Sequence, residues 1–298
     1  CSLRLPHSER SRGMPLLSVK ELGQMSPVFR GKAGNAVARG LVHLLSIDRV
    51  NDLYDRHIDM KGPDFAAAVL QDVGFEYRIS LEGNEADLAD LLPQGPFITI
   101  SNHPCGHLDG VSLVDIFGHI RPDYKVMVNQ ILARIKPLED SFIAVTPTGN
   151  DRKAPTAASI SGIKEALRHL RSGGALGLFP SGAVSDLSLR ERCVRDRQWQ
   201  DAVIRLIMKA EVPVIPVHFL DGNSAFYYSL GLIDWRVRLL RLPAEVFNKR
   251  GRTMRIAIGR PISVDRQKDY GRDVAALREF LRSSVYELES IGKDKYFG

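Results

Sequence analysis

Two periodicities of hydrophobic residues alternate along residues 63–298. Short apolar or alternating runs predict strands at residues 75–81, 95–101, 125–128, 142–145, 175–179, 212–219 and 255–258. Apolar residues at three- and four-residue spacing predict helices at residues 65–73, 109–119, 131–135, 158–172, 199–210 and 272–291. Because strands and helices alternate, we predict an α/β fold in which helices flank a mainly parallel, mixed sheet.

The part of the chain before residue 63 has a different character. Its first 20 residues are polar and basic, and residues 36–57 carry apolar side chains at helical spacing. We therefore predict two units: residues 1–62 form an N-terminal polar tail and helical segment, and residues 63–298 form the α/β domain. Residues 146–156 are polar and contain Pro, Gly, Asn and Lys, which predicts a mobile loop near the strand ends.

Composition narrows the class and the compartment. The 298 residues are 44% hydrophobic and 26% charged, which is typical of a globular protein with a sizeable core. Cys1, Cys105 and Cys193 form no CxxC pair, so a reducing compartment fits better than a disulfide framework or a zinc site. No stretch approaches the ~20 apolar residues that span a bilayer, and the polar N-terminus is unlike a secretory signal. We expect a cytoplasmic protein, here a fragment or processed form, since it lacks an initial Met.

The second predicted strand ends in a loop that carries candidate chemistry. The strand continues as Asn102-His103-Pro104, and Asp109-Gly110 opens the next predicted helix. Ligands of open α/β sheets bind at the carboxyl ends of strands. His103 is therefore a candidate general base, and Asp109 is a candidate partner that fixes its tautomer and stabilises the imidazolium.

Four short blocks resemble the motifs of one family. In chain order they are Asn102-His103-Pro104 with Asp109-Gly110, Phe142-Ile143, Phe179-Pro180-Ser181-Gly182 and Val212-Pro213-Val214-Ile215-Pro216-Val217. Together they resemble the glycerolipid (PlsC-like) acyltransferase superfamily over residues 51–262. The resemblance is greater to its bacterial branch of hemolysin-like proteins and aminolipid acyltransferases. That branch carries Asn-His-Pro-x-Gly-Gly-x-Asp-Gly, and here Gly106-His107 replaces the Gly-Gly pair.

The resemblance implies an acyltransferase. A fatty acyl group would move from an acyl carrier protein (ACP) or coenzyme A (CoA) thioester to the hydroxyl or amine of a membrane-lipid precursor. The thioester is a co-substrate, and no bound cofactor is implied. His103 would act as general base, oriented by Asp109, without an acyl-enzyme. The substrate-binding residues that the resemblance implies are Asn102, Gly106, His107, Gly110, Phe179, Pro180, Ser181 and Gly182.

Two departures from the family pattern bear on the acceptor. Ser181 occupies a position where the phospholipid enzymes carry Glu, and the block that begins at Phe142 lacks their phosphate-pairing basic residue. Three acceptors therefore stay open: a lysophospholipid, glycerol phosphate, and an amino acid that becomes N-acylated to an aminolipid. The role of His107 is also open, because it could contact the acceptor, replace a glycine neutrally or pair with Asp109. Main-chain donors near Pro180 could support an oxyanion or bind a head group.

Basic residues concentrate between residues 231 and 260. Eight of them stand against Asp234 and Glu245, an excess of six that equals the net charge of the whole chain. The eight are Arg236, Arg238, Arg241, Lys249, Arg250, Arg252, Arg255 and Arg260. Because these bases are interleaved with large apolar residues, the segment could bind an anionic membrane surface or an acidic carrier protein. It could equally be a rim of solvent-exposed charges beside ordinary core residues. We expect the protein to lie peripherally on the inner membrane. Since no nucleic-acid-binding motif is present, we expect no nucleic-acid partner.

The same residues allow three alternatives. Cys105, two residues after His103, is a candidate nucleophile for a thioesterase or a ping-pong transferase. His103, His107 and Asp109 could serve as three metal ligands, but no further residue completes the set, so we predict no metal. The third alternative is a non-catalytic, membrane-binding protein of the hemolysin-like kind, against which the paired His and Asp argue.

Overall fold

A seven-stranded sheet forms the centre of the chain in a computed structural model, which describes residues 46–83, 87–130, 132–145, 157–189, 191–233 and 235–294. The strands are β1 (Phe75–Leu81), β2 (Ile98–Ser101), β3 (Lys125–Asn129), β4 (Phe142–Val145), β5 (Leu176–Leu178), β6 (Asp186–Ser188), β7 (Cys193–Arg195), β8 (Val214–Phe219) and β9 (Arg252–Ile258). Their order across the sheet is β1-β9-β8-β2-β5-β3-β4, and β6 and β7 pair in a separate antiparallel hairpin.

The direction of the strands confirms the predicted mixed sheet. Five neighbours, β8, β2, β5, β3 and β4, run parallel to one another. β9 is antiparallel to β8, and β1 is parallel to β9, so one edge of the sheet is reversed. Each predicted strand is present with its ends within three residues of the prediction. The hairpin of β6 and β7 was not predicted, because three-residue strands carry too short a pattern to detect.

Helices surround the sheet. They are α1 (Ile47–Arg56), α2 (Gly62–Val73), α3 (Leu88–Leu91), α4 (His107–Gly118), α5 (Ala157–Arg171), α6 (Asp201–Ala210), α7 (Ala225–Ile233), α8 (Trp235–Phe247), α9 (Val264–Lys268), α10 (Val274–Glu287) and α11 (Glu289–Asp294). The helix predicted at residues 131–135 is a 3₁₀ turn over Leu132–Arg134, followed by another over Lys136–Ser141. The last predicted helix is interrupted at Leu288, and residues 36–45 and 146–156 lie outside the described residues.

Two apolar layers cover the two faces of the sheet. On one face, α2 packs against α4 and β1, and α4 packs against β3, with Phe117 and Val217 fully buried in this layer. On the other face, α5 packs against β4 and β5, and α10 packs against β8 and α6, with Ile100, Ile207 and Leu281 fully buried in this layer. Each such side chain contributes about 1.5–3 kcal/mol through burial. The sheet is therefore a rigid support for the loops at its ends.

The described part of the predicted N-terminal unit packs against the rest of the chain. Tyr54 of α1 meets Phe65 of α2 edge to face, with ring centroids 6.2 Å apart, and the Arg49 guanidinium lies 3.8 Å above the ring of Phe247. The division at residue 62 stays a prediction. None of the described helices has the length and apolar character required to cross a membrane.

The register of the central strands brings three loops together. Ser101 of β2 lies level with Val217 of β8, and Ile100 of β2 lies level with Leu178 of β5. Since these three strands are parallel neighbours, the loops after their carboxyl ends meet at one edge of the sheet. The first and third blocks of the sequence pattern lie on two of these loops.

Candidate active site

Asn102 fastens the end of β2 to the end of β8. Its side-chain amide donates to the carbonyl oxygen of Phe219 (2.9 Å), and its side-chain oxygen accepts from the main-chain N–H of Phe219 (2.8 Å). The side chain thus continues the strand pairing by one further pair of hydrogen bonds. Asn102 is buried, so the structure places it beneath the loop that carries His103 and gives it main-chain partners.

A tight turn follows, and Asp109 closes it. Gly106 precedes α4 with a φ of +74°, a backbone conformation that residues other than glycine rarely adopt. The Asp109 carboxylate, in the first turn of α4, accepts from the N–H groups of Cys105 (2.8 Å) and Gly106 (2.9 Å) through Oδ2. Asp109 therefore satisfies N–H groups at the helix start, where negative charge is also favoured.

The same carboxylate oxygen faces His103. Oδ2 of Asp109 lies 3.0 Å from Nδ1 of His103, although this contact departs from the direction of an ideal hydrogen bond. The Asp109 side chain is 1% exposed and the His103 side chain is 17% exposed. The imidazole also stacks on the ring of Phe179, with centroids 4.1 Å apart. Nδ1 is thereby turned inward, which leaves Nε2 as the nitrogen available to a substrate.

His107 and Gly110 lie beside this pair on the first turn of α4. Although part of the His107 surface is open to solvent, burial and, secondarily, the neighbouring His103 lower the pKa of His107 to about 4. His107 is therefore neutral at pH 7 and can donate or accept a hydrogen bond. A Cβ on Gly110 would lie 3.8 Å from the Phe179 ring, an ordinary van der Waals distance, so Gly110 borders this ring but is not required for its approach.

The third block forms a turn after β5. The Gly182 N–H donates to the carbonyl oxygen of Phe179 (2.9 Å), and the Ala183 N–H reaches Oγ of Ser181 at 3.5 Å. These two donors are thus used inside the turn and are not directed at a substrate. The carbonyl of Pro180 accepts from the Gln200 N–H (2.9 Å), and Gly182 has a φ of +65° with no space for a Cβ beside Gln200.

Asp196 is a component of the site that sequence reasoning missed. One oxygen of this buried carboxylate accepts from the main-chain N–H of His103 (3.1 Å) and from Oγ of Ser185 (2.5 Å). The other oxygen accepts from the Trp199 indole (3.0 Å). The Ser185 N–H in turn donates to the carbonyl oxygen of His103 (2.9 Å), so both main-chain groups of His103 are held. Burial raises the pKa of Asp196.

Helices α7 and α8 form a hairpin that covers the His103 loop. The Tyr228 hydroxyl donates to the carbonyl oxygen of Pro104 (2.8 Å). From α8, the Leu242 side chain would lie 3.0 Å from a Cβ on Gly106. The sequence pattern did not indicate these helices, because α7 is almost entirely apolar and α8 contains a proline, Pro243, and a buried base, Arg238.

The basic segment is not a uniformly exposed surface, which corrects its interpretation. Arg238 is 2% exposed, pairs with Asp186 and donates to the carbonyl of Ser185 (3.0 Å). Lys249 is 1% exposed and donates to the carbonyl of Gly222 (2.5 Å). Arg255 pairs with Asp221 at 2.6 Å. These cations hold loops of the fold, since a buried charge requires a partner.

Cys105 is poorly suited to act as a nucleophile. Burial raises the pKa of its thiol well above the usual value, and the nearby Asp109 carboxylate raises it further. The thiol is 3% exposed and points to the carbonyl oxygen of Asp221 at 3.7 Å. A protonated, enclosed thiol is a weak nucleophile. Within the described part of the chain, no three His, Cys, Asp or Glu side chains are grouped so that they could hold a metal ion.

Comparison with known proteins identifies the family. A family model described as "Acyltransferase" matches residues 25–292. The chain belongs to this acyltransferase family. The predicted enzyme class is thereby confirmed, and the matched region contains all four sequence blocks.

Three individual proteins also resemble this acyltransferase, at 13–27% sequence identity. A lyso-glycine lipid O-acyltransferase of Bacteroides thetaiotaomicron is 27% identical over 248 residues, which cover 81% of this chain and 85% of the relative. A protein of the same name from Phocaeicola vulgatus is 26% identical over 255 residues, or 83% of this chain and 86% of that relative. The crystal structure of PlsC, a 1-acyl-sn-glycerophosphate acyltransferase from Thermotoga maritima, aligns with a TM-score of 0.44 and 13% identity, covering 93% of this chain and 98% of PlsC.

Proposed function

We propose that this acyltransferase moves a fatty acyl group from an ACP or CoA thioester to the hydroxyl of a lyso-aminolipid. The observation that carries the proposal is the pair formed by His103 and Asp109, with Nδ1 and Oδ2 3.0 Å apart at the carboxyl edge of the sheet. The names of the two curated relatives support a lipid acceptor that already bears a chain, and they support ester formation over N-acylation.

The proposed reaction is a direct transfer. Nε2 of His103 removes the proton of the acceptor hydroxyl as its oxygen forms a bond with the thioester carbonyl carbon. The C–S bond of the tetrahedral intermediate then breaks, and the imidazolium returns its proton to the departing thiolate. Asp109 stabilises the imidazolium between these steps, because its carboxylate lies against Nδ1.

Neighbouring residues have distinct proposed roles. Phe179 holds the imidazole by stacking, and Gly110 borders this ring from α4. His107, neutral at pH 7, binds the acceptor as a hydrogen-bond partner. Asn102, Gly106 and the turn from Pro180 through Ser181 to Gly182 act on the substrate indirectly, since their described contacts shape the loops.

Hydrolysis of the thioester by a thiol is a less suitable reaction for this site. Cys105 is enclosed, and its raised pKa keeps it protonated. The imidazole of His103 faces Asp109 through Nδ1, which is the arrangement of a general base. A purely membrane-binding role would not require the pairing of His103 with Asp109.

The test is acyl transfer from labelled acyl-ACP and acyl-CoA to lyso-glycine lipid, with free glycine as a separate acceptor. We expect an alkali-labile ester product from wild-type protein and a decrease of about 10²-fold or more in kcat for His103→Ala. His119→Ala is the matched control, because His119 is a half-exposed histidine on the far end of α4.

Three results would contradict the proposal. Full activity of folded His103→Ala protein would exclude His103 as the base. An alkali-stable amide product made from glycine would show N-acylation. Loss of thioester with free fatty acid as the sole product would show hydrolysis.

We place the enzyme at the cytoplasmic face of the inner membrane as part of the same proposal, since its acceptor is a lipid.

A further inference from the structure

The hairpin of α7 and α8 exposes an apolar face. We call this set the hairpin face: Phe226, Leu232, Ile233, Leu239 and Leu240, which are between 40% and 79% exposed. Ile233, at the end of α7, is the most exposed of them. Large exposed apolar patches mark sites of interaction with partners or membranes.

The opposite side of the hairpin is fixed to the active site. Tyr227 and Tyr228 of α7 are buried, and Tyr228 donates to the carbonyl of Pro104, next to His103. Arg238 of α8 donates to the carbonyls of Val184 (3.2 Å) and Ser185 (3.0 Å). The hairpin is therefore amphipathic as a unit: one side closes over the His103 loop, and the other side is directed to the exterior.

The exposed charges described for the hairpin segment are basic. Arg241 is 33% exposed, with its guanidinium 5.7 Å from the centre of the Phe226 ring and its Nε 3.9 Å from the buried Glu245, and the exposed Arg250 and Arg252 follow α8 in the chain. The one described carboxylate of α8, Glu245, is 1% exposed and accepts from Ser224 inside the protein. Among the described side chains of residues 225–252, every exposed charge is therefore basic.

We propose that the hairpin face docks this acyltransferase onto an anionic lipid bilayer. Apolar side chains would enter the boundary between head groups and acyl chains, and Arg241, Arg250 and Arg252 would meet anionic head groups. The proposal rests on the proposed function, because a lyso-lipid acceptor resides in a bilayer. Docking through this hairpin places the His103 loop next to the lipid surface, so that the acceptor can present its hydroxyl while its chain stays in the membrane.

Co-sedimentation of the full chain with lipid vesicles tests this assignment without any acyl donor. Vesicles of phosphatidylcholine with phosphatidylglycerol are compared with phosphatidylcholine alone. We expect the double variant Leu232→Gln/Ile233→Gln to lower binding to anionic vesicles about tenfold or more, because both side chains lose their apolar contribution. Arg241→Gln should lower that binding about fivefold at low salt and leave binding to neutral vesicles unchanged.

Ile160→Gln is the matched control, since Ile160 is a 45% exposed apolar residue on α5, outside the hairpin. Wild-type binding by this control, with unchanged thermal unfolding of all variants, would support the assignment. Equal binding by the double variant and wild type would overturn it, and so would an equal loss for Ile160→Gln. Dissociation of a dimer by the double variant, with vesicle binding intact, would instead assign the face to a second copy of the chain.

The two proposals fail separately. If vesicle binding depends on the hairpin face but no acyl transfer occurs, the proposed function is wrong and the docking surface stands. If acyl transfer to a detergent-dispersed acceptor is normal in the double variant and its vesicle binding is also normal, the docking surface is wrong and the function stands.

Discussion

The carboxylate of Asp196 holds the main-chain N–H of His103 at 3.1 Å, although the two residues are 93 positions apart in sequence. Ser185 joins them, because its hydroxyl donates to Asp196 and its N–H donates to the carbonyl of His103. The candidate base is thus positioned through its main chain by Ser185, three residues after the third sequence block, and by Asp196, directly after β7.

Asp196→Asn should lower kcat about 10-fold to 100-fold with little change in KM, because Asp196 positions His103 without facing the substrate. The NH2 group of Asn is a donor, so it would face another donor in either orientation: the Trp199 indole N–H, or the His103 N–H and the Ser185 hydroxyl. Steady-state kinetics with lyso-glycine lipid measure the effect, and Asp269→Asn, an exposed carboxylate on the surface, is the control. A proportional rise in KM with unchanged kcat would contradict a positioning role.

Asp109→Asn should lower kcat by about 10²–10⁴-fold while the protein still folds. Asn retains an oxygen in the place of Oδ2, which can accept from the N–H groups of Cys105 and Gly106 and face Nδ1 of His103, but it lacks the negative charge that stabilises the imidazolium. Kinetics combined with thermal unfolding separate the chemical effect from a structural one. Activity within threefold of wild type would remove Asp109 from the mechanism.

His107 should make folding less favourable in mild acid. The pKa of His107 is about 4 in the folded protein, against 6.5 as its ordinary value, so the unfolded chain binds the extra proton between these pH values. The contribution of neutral His107 to the free energy of unfolding is therefore complete above about pH 6.5 and is lost as the pH falls towards 4. Between pH 7 and pH 4.5, the free energy of unfolding should therefore fall by about 2 kcal/mol less in His107→Asn than in wild type.

Urea unfolding of wild type and His107→Asn at the two pH values measures this difference. Comparison with the variant isolates His107, since other groups titrate in both proteins; Asp196, with its raised pKa, acts in the opposite direction. Parallel stability curves for the two proteins would show that His107 is not desolvated.

Gly106→Ala should destabilise the protein more than Gly251→Ala does. Both glycines have a positive φ, +74° and +73°, which is strained for Ala by about 1 kcal/mol or more, and Gly106 has in addition a ψ of −122°, outside the left-handed helical region. A Cβ at Gly106 would also lie 3.0 Å from two carbon atoms of Leu242, whereas a Cβ at Gly251 meets nothing within 4 Å. Chemical denaturation gives the difference, and equal effects would mean that the α8 side chain yields freely.

Cys105 should not react with N-ethylmaleimide in the native enzyme at pH 8, because burial and its raised pKa keep the thiol enclosed and protonated. Cys193, which is partly exposed, should be modified under the same conditions. Mass mapping of the labelled peptides checks both outcomes. Cys105→Ala should retain transfer activity within about threefold; a loss beyond 100-fold, with the fold intact, would point to covalent catalysis.

The basic segment between residues 231 and 260 shows where a sequence pattern misled. Counting bases between residues 231 and 260 indicated a basic surface, but Arg238 and Lys249 are internal and paired. Charge along a sequence carries no information about burial, because a folded chain can enclose a cation whenever a carboxylate or carbonyl meets it. The exposed apolar residues of α7 and α8 became visible only when both helices were placed on the sheet.

The sequence alone determined the seven strands of the sheet, most of the helices between them, the α/β class and the family, because local periodicity and short motifs are properties of neighbouring residues. It also placed His103 and Asp109 on one turn, since they are close in the chain. Tertiary structure decided the rest of the site. The stacking of Phe179 on His103, the clamp by Asp196 and the cover by the α7–α8 hairpin depend on which strands are neighbours in the sheet, and strand order follows from long-range packing rather than local pattern.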